Sequence, residues 1–299
     1  MRLIKTYRAY RALTPEQRRL LKEKRVEGER TPAQWLELLG GLAAYDRQAD
    51  AVRTWAITLM VLVPLLVFLA ALFGGLALGY EGLAVPAAIG LALVTGAPLV
   101  ALFLATRSTD LANQLREVAL PLVALIGDDL GANAGVRLAL DLRGGTVASK
   151  LRASLPTRKV GGRAVRERVF QDPWMAGAAA LHDGARLRWR LTDEVREVQV
   201  SRRNARGKTK TKTKFRVTSV MQVAIDLPAA RYRLRPNAPP PDAGTRAQVL
   251  DKWLKLRGRG RTRQKAAQPR SAPLGAVLAT FTGLYARAEP SPKQETHHV

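Results

Sequence analysis

Two uncharged runs constrain this chain more than any other feature. Trp55 to Gly79 (WAITLMVLVPLLVFLAALFGGLALG) is 25 residues long, and Leu83 to Ala105 (LAVPAAIGLALVTGAPLVALFLA) is 23. A helix needs about 20 apolar residues to cross the hydrocarbon layer of a bilayer, so each run is long enough to span it. Tyr80, Glu81 and Gly82 join the two, and so short a link forces an antiparallel hairpin. Small residues recur at four-residue spacing, Ala71, Gly75 and Gly79 in the first run, Ala92 and Gly96 in the second. That spacing lets helix backbones approach closely, within one hairpin or between copies of the chain in a homo-oligomer. Pro64, Pro86 and Pro98 are expected to kink the spans. No charge lies inside either run, which disfavours proton- or ion-coupled transport.

Basic residues set an expected orientation. Arg47 and Arg53 precede the first run, Arg107 and Arg116 follow the second, and the connecting loop has neither Lys nor Arg. The positive-inside bias then puts both termini in the cytoplasm of a bacterial-type inner membrane. The apolar run is too long for a cleaved signal peptide and lies behind 54 residues with folded character.

Charge is the second constraint. Lys and Arg outnumber Asp and Glu by 49 to 24, a formal +25, which favours anionic partners. The absence of cysteine excludes disulfide frameworks, thiolate zinc sites and cysteine nucleophiles.

Residues 1–54 carry two copies of one helix-start signal, Thr14-Pro15-Glu16-Gln17 and Thr31-Pro32-Ala33-Gln34. In each, threonine caps, proline takes the first helical position and glutamine completes a capping box. The pattern predicts helices from about Pro15 to Val26 and from Pro32 toward the first apolar run, with a weak point or break at Gly40-Gly41. Beyond the second run, Ser108 to Ile126 reads as one helix with Leu111, Leu115, Val118, Leu122 and Leu125 on one face, ended by Gly127.

From Val136 to Leu234 the period changes to two. Val136, Leu138, Leu140 and Leu142 alternate with Arg137, Ala139, Asp141 and Arg143. Leu187, Trp189 and Leu191 alternate with Arg186, Arg188 and Arg190, after the turn-like His182-Asp183-Gly184. From Phe215 to Leu227 the odd positions form a nearly continuous apolar face. Lys208, Lys210, Lys212 and Lys214, alternating with Thr209, Thr211 and Thr213, therefore project to the opposite side. A strand of this length calls for a bend or bulge. Its outer half is expected to be a hairpin arm paired with Glu194 to Ser201 and turning through Asn204 to Gly207. Such a ladder protects a strand edge, lies against an anionic leaflet, or grips nucleic-acid phosphate. Stacking on bases lacks a platform, because Phe215 faces inward. Val136 to Arg235 holds 24 Lys and Arg against 8 Asp and Glu, more than solubility requires.

Pro236 to Asp242 reads as an extended linker, and Ala243 to Leu256 carries an apolar stripe expected on a helix. The run Arg257-Gly258-Arg259-Gly260-Arg261 is too rich in glycine and charge to be expected to pack. Leu274 to Tyr285 is apolar but, at 12 residues, too short to span.

Catalytic signatures are sparse. His182 is the lone histidine before the terminal His297-His298, which excludes a two-histidine metal site within the fold. Asp128-Asp129-Leu130-Gly131 lacks the spacing of a calcium loop, and no phosphate-cradling glycine loop occurs. Asp172-Pro173-Trp174 reads as a turn that anchors a core tryptophan.

Together these features predict an α+β membrane protein in five parts. They are a cytoplasmic helical region (1–54), a transmembrane hairpin (55–105, spans 55–79 and 83–105), a helical connector (106–135), a basic antiparallel β-rich, sandwich-like domain (136–235), and a linker with a helical, basic tail (236–299). The expected function is that of a non-catalytic, membrane-anchored scaffold, binding or sensor protein without cofactor or metal. Its expected partners are anionic lipid headgroups or an acidic protein. A membrane-tethered module for nucleic acid or another anionic ligand is the first alternative, and a small oligomeric channel the second. The expected anion-binding residues are Lys208, Lys210, Lys212, Lys214, Arg186, Arg188, Arg190, Arg202, Arg203 and Arg206, and the expected helix-packing residues are Ala71, Gly75, Gly79, Ala92 and Gly96.

Overall fold

The computed structural model describes residues 2–130, 134–203, 207–236, 244–266 and 271–291. It is an α+β protein with a large antiparallel sheet and two long apolar helices. The chain divides into two units, residues 1–23 with 38–111, and residues 24–37 with 112–299.

The first unit is helical. It contains α1 (Arg2–Ala12), α2 (Pro15–Glu23), most of α3 (Pro32–Ala77) and α4 (Glu81–Ser108). Both capping boxes form. Thr14 Oγ1 accepts from the Gln17 N–H at 3.2 Å while Gln17 Oε1 accepts from the Thr14 N–H at 2.9 Å, and Thr31 with Gln34 repeats the pair at 3.3 and 3.1 Å. Helix α3 runs unbroken through Gly40-Gly41, contrary to expectation. Gly41 lies against the Gln17 side chain, whose Nε2 donates to Leu38 O at 3.1 Å, so a bare backbone is needed there for α2 to seat. The apolar parts of α3 and α4 pack antiparallel. A Cβ on Gly75 would stand 2.8 Å from the Ala84 Cβ, and one on Gly96 would stand 3.3 Å from Pro64. Two helices are long and apolar enough to cross a membrane, and 6% of the residues in the most apolar window of each are buried within the chain. The link is Leu78 to Tyr80, with Gly79 at φ +78°, so Gly79 closes the turn rather than packing helix on helix.

The second unit is built on a nine-stranded antiparallel sheet. Its strands are β1 (Arg25–Arg30), β2 (Val136–Asp141), β3 (Leu151–Ser154), β4 (Arg158–Val160), β5 (Arg163–Ala180), β6 (Arg186–Arg203), β7 (Thr209–Pro228), β9 (Arg246–Val249) and β10 (Trp253–Ala266). The order is β1-β2-β5-β6-β7-β10-β9, and β3 and β4 pair with the first half of β5. A separate pair joins β8 (Tyr232–Leu234) to β11 (Ala288–Pro290). One sheet therefore replaces the expected sandwich-like arrangement.

The inner face of the sheet carries Leu138, Met175, Leu187, Trp189, Leu191, Met221, Val223, Ile225, Leu227, Leu254 and Leu256, all buried. Helix α6 (Leu274–Tyr285) packs on it. A Cβ on Gly258 would meet Leu284 at 2.9 Å, and one on Gly260 would run into Thr280. The Arg-Gly-Arg-Gly run is thus strand, with glycine on the helix side and arginine on the other. Residues 246–266, expected as helix and unpacked tail, are two strands of the main sheet.

Three further expectations are corrected. Residues Arg25–Arg30 leave α2 at Lys24, the one non-glycine residue with positive φ (55°) among those described, and form β1. The helix expected from Ser108 to Ile126 breaks after Ser108 and resumes as a wide π-helical turn, Leu115–Ala119, leading into α5 (Leu120–Asp128). Pro121 supplies no N–H for the usual ladder, which favours that wider turn. Leu125 is exposed, whereas Leu122, Val123 and Ile126 are buried. Finally, β7 pairs with β6 and β10 in unbroken register, and the bulge sits in β5 between Asp172 and Met175, where Pro173 interrupts the ladder.

Candidate functional site

Because register is unbroken across β6, β7 and β10, residues opposite one another share a face. One row of the outer face reads Arg259, Gln222, Arg190, Ala176, Ala139 and Glu27 across β10, β7, β6, β5, β2 and β1. The next reads Arg257, Ala224, Arg188, Ala178, Arg137 and Glu29, with Arg246 of β9 opposite Arg257. Alanine at four of these positions leaves a trough, and arginine columns on β6 and β10 stand on either side of β7. The result is an open groove of about 590 Å³ whose floor is methyl groups and Gln222 and whose walls are guanidinium groups, with Glu27, 3.6 Å from Arg137, at the β1 margin.

One carboxylate organises two of those arginines. Asp226 accepts from Arg188 Nη2 at 2.8 Å and from Arg257 Nη1 at 2.7 Å, which holds both side chains up from the sheet. Arg190, Arg246 and Arg259 have no carboxylate within ion-pair distance among the described residues. Arg186 lies over the Trp253 ring, 4.6 Å from its centroid, and covers the aromatic at the margin of this face. The second half of the same face forms another basic hollow lined by Arg196, Arg216, Arg261, Arg263 and Lys265.

The expected anion-binding residues therefore separate. Arg186, Arg188 and Arg190 belong to the outer face beside the groove. Lys210, Lys212 and Lys214 share that face but stand opposite Arg202, Val200 and Val198, at the far end of the same strands. Arg203 pairs with Thr209, so it projects to the opposite side, where its Nε donates to Gly207 O at 3.1 Å. Lys208 precedes β7, and Arg206 lies outside the described residues. Arg137, Arg246, Arg257, Arg259 and the alanine floor were missed by sequence reasoning. The signal was the period-two arginine series from Arg257 to Arg263, masked by intervening glycines.

A largely buried polar cluster lies at the end of β2, beside the β5 bulge. Lys150 Nζ contacts Asp172 Oδ1 at 2.5 Å, Asp141 Oδ1 at 3.2 Å and Gly144 O at 3.1 Å, with its side chain 4% exposed. Burial raises the Asp172 carboxyl despite the opposing charge of Lys150. Burial acts the same way on Asp141, but hydrogen bonds from Arg143 and the charge of Lys150 outweigh it and hold that carboxyl well below the ordinary range. Every polar arm of Lys150 is turned onto the protein, so the cluster ties the loop after β2 to β5. Trp174 is fully buried beside this bulge, as expected of a core anchor.

The remaining polar candidates also close on themselves. Asp183 accepts from the Ala185 N–H at 2.9 Å and from the Tyr232 hydroxyl at 2.6 Å, which makes His182-Asp183-Gly184 a turn and pushes the Tyr232 phenol up to about 12. In the first unit Asp46, Asp50 and Asp110 converge, and the Arg53 guanidinium stands among them, 3.0 Å from Asp50 and 3.4 Å from Asp46.

Comparisons with protein families, with curated proteins and with solved structures returned no match.

Proposed function

We propose that this chain is a membrane-anchored binding protein, without chemistry of its own, whose arginine-walled sheet face receives an acidic segment of a partner protein. The two apolar helices serve as the anchor, with the arginines that flank them on the cytoplasmic side of a bacterial-type inner membrane. The observation that carries the reading is the outer-face groove, where Arg190, Arg246 and Arg259 stand without carboxylate partners among the described residues around an alanine floor. Guanidinium forks match carboxylates two bonds at a time, and a methyl floor accepts an extended backbone without steric cost. Nucleic acid is the less favoured occupant, because Trp189, the aromatic lining the groove among the described residues, is buried toward the inner face and Trp253 is already covered by Arg186.

The test uses the full-length chain in zwitterionic nanodiscs, titrated with a fluorescein-labelled oligoglutamate peptide and with a labelled single-stranded oligonucleotide. Salt-sensitive peptide binding, weakened at least about tenfold by Arg190→Glu with Arg259→Glu, is expected. Tighter binding of the oligonucleotide, or peptide binding that ignores both substitutions, sinks the reading.

A further inference from the structure

The opposite end of the sheet presents a surface of different character. Two hairpin tips lie side by side there, since Ala164 of β5 pairs with Ser201 of β6, and Ser201 with Thr211 of β7. The β4–β5 tip turns through Gly161 (φ +55°) and Gly162 (φ +69°), two consecutive left-handed residues of the kind a tight hairpin requires. All of β3 and β4 is exposed, and so are three aliphatic side chains, Leu151 (41%), Leu155 (45%) and Val160 (53%). Cations stand near them: Arg163 opposite Val160 at the tip, and Lys210, Lys212 and Lys214 on the same side of the neighbouring hairpin, whereas Lys159, opposite Ala164, lies on the threonine side. On the outer side, half-buried Val198 and Val200 sit opposite Lys214 and Lys212.

Aliphatic groups held in water among lysines contribute nothing to protecting a strand edge or to gripping phosphate alone. They suit a surface that offers anionic headgroups and, just beneath them, hydrocarbon.

We infer that the double-hairpin end of the sheet docks on the surface of an anionic bilayer. Leu155 and Val160 enter the interface, and Arg163 and the β7 lysines engage headgroup phosphates. This contact rests on the membrane anchoring proposed above and is separate from the arginine-walled groove. It also gives the alternating lysine-threonine run a role. The lysines face the leaflet, and the threonines keep the other side of the arm polar.

Native cysteines are absent, so single reporters can be placed cleanly. Full-length Val160→Cys, carrying an environment-sensitive fluorophore, is reconstituted in nanodiscs of phosphatidylcholine alone or mixed with phosphatidylglycerol. Val249→Cys on exposed β9 serves as the control. In the anionic discs, a blue-shifted emission quenched by headgroup-proximal doxyl lipid is expected at position 160 and not at 249. High salt, or Arg163→Glu with Lys212→Glu, should reduce the quenching severalfold. Incorporation without any dependence on lipid charge overturns the docking and leaves the anchor standing, whereas failure to enter either disc overturns both. An emission shift at 160 that a single-stranded oligonucleotide evokes more strongly than lipid assigns this end to polynucleotide and overturns the docking as well.

Discussion

Asp193 occupies an inner-face position on β6 between buried Leu191 and Val195, where a carboxylate costs the fold stability. Gln114 Nε2 donates to it at 3.0 Å, Ser271 Oγ at 3.2 Å, and Ser219 also bonds to it, so the one side chain links the segment before α5, β7 and the approach to α6. Burial raises its pKa to about 6 despite these donors. A carboxyl raised in the folded state holds its proton where the unfolded chain has already released it. Its contribution is therefore full below the unfolded value, near pH 4, and is lost as pH rises through about 6. Asp193→Asn removes this titration. Relative to the parent, the variant should gain on the order of 3 kcal/mol of stability between pH 4 and pH 7, measured by thermal unfolding of the full chain. Parallel stability profiles for the two proteins would falsify the assignment. This residue also marks where sequence reading stopped. Alternation identified the inner face of β6, but a polar residue in an apolar series names its partners only in three dimensions. Asp172 hid Lys150 in the same way.

At the scale of the element, β10 reverses the usual meaning of glycine and charge. A run such as Arg257 to Arg263 has the composition of a flexible tail, and nothing apolar marks its inner side. Its period of two is nonetheless complete, with glycines beneath α6 and arginines facing outward. Gly258→Val and Gly260→Val should each destabilise the protein by about 1–3 kcal/mol, because Leu284 and Thr280 occupy the space the new side chains need. Faster hydrogen exchange in α6 with β6 protection retained is the expected signature, and unchanged exchange in α6 would remove the helix from that position. The β6–β7 arm, the capping boxes and the antiparallel helix hairpin were legible because each is a local pattern. Strand β1 was not. Three exposed and three half-buried residues become a strand only through β2, more than a hundred positions away.

For the whole molecule, the proposed anchoring has a direct readout. Cysteine introduced singly at Thr31, Glu81 and Thr211, and probed on intact cells with a membrane-impermeant thiol reagent, should label at position 81 alone. Labelling at 211 would place the basic sheet outside and end the cytoplasmic reading. The groove was half legible from sequence. The β6 arginines were found, and their counterparts on β9 and β10 were not, because sheet order brings together residues that composition had assigned to a tail.

The sheet unit is stitched from two stretches of chain, residues 24–37 and 112–299, with the greasy helices threaded between them. During synthesis β1 is made first and must wait for both helices before β2 exists to receive it. A gene trimmed to start at residue 112 would therefore yield a sheet with β2 as a bare edge, prone to stick to its own copies. Any copy with a finished groove has already made both apolar helices, so under the proposed reading the groove never exists apart from its anchor.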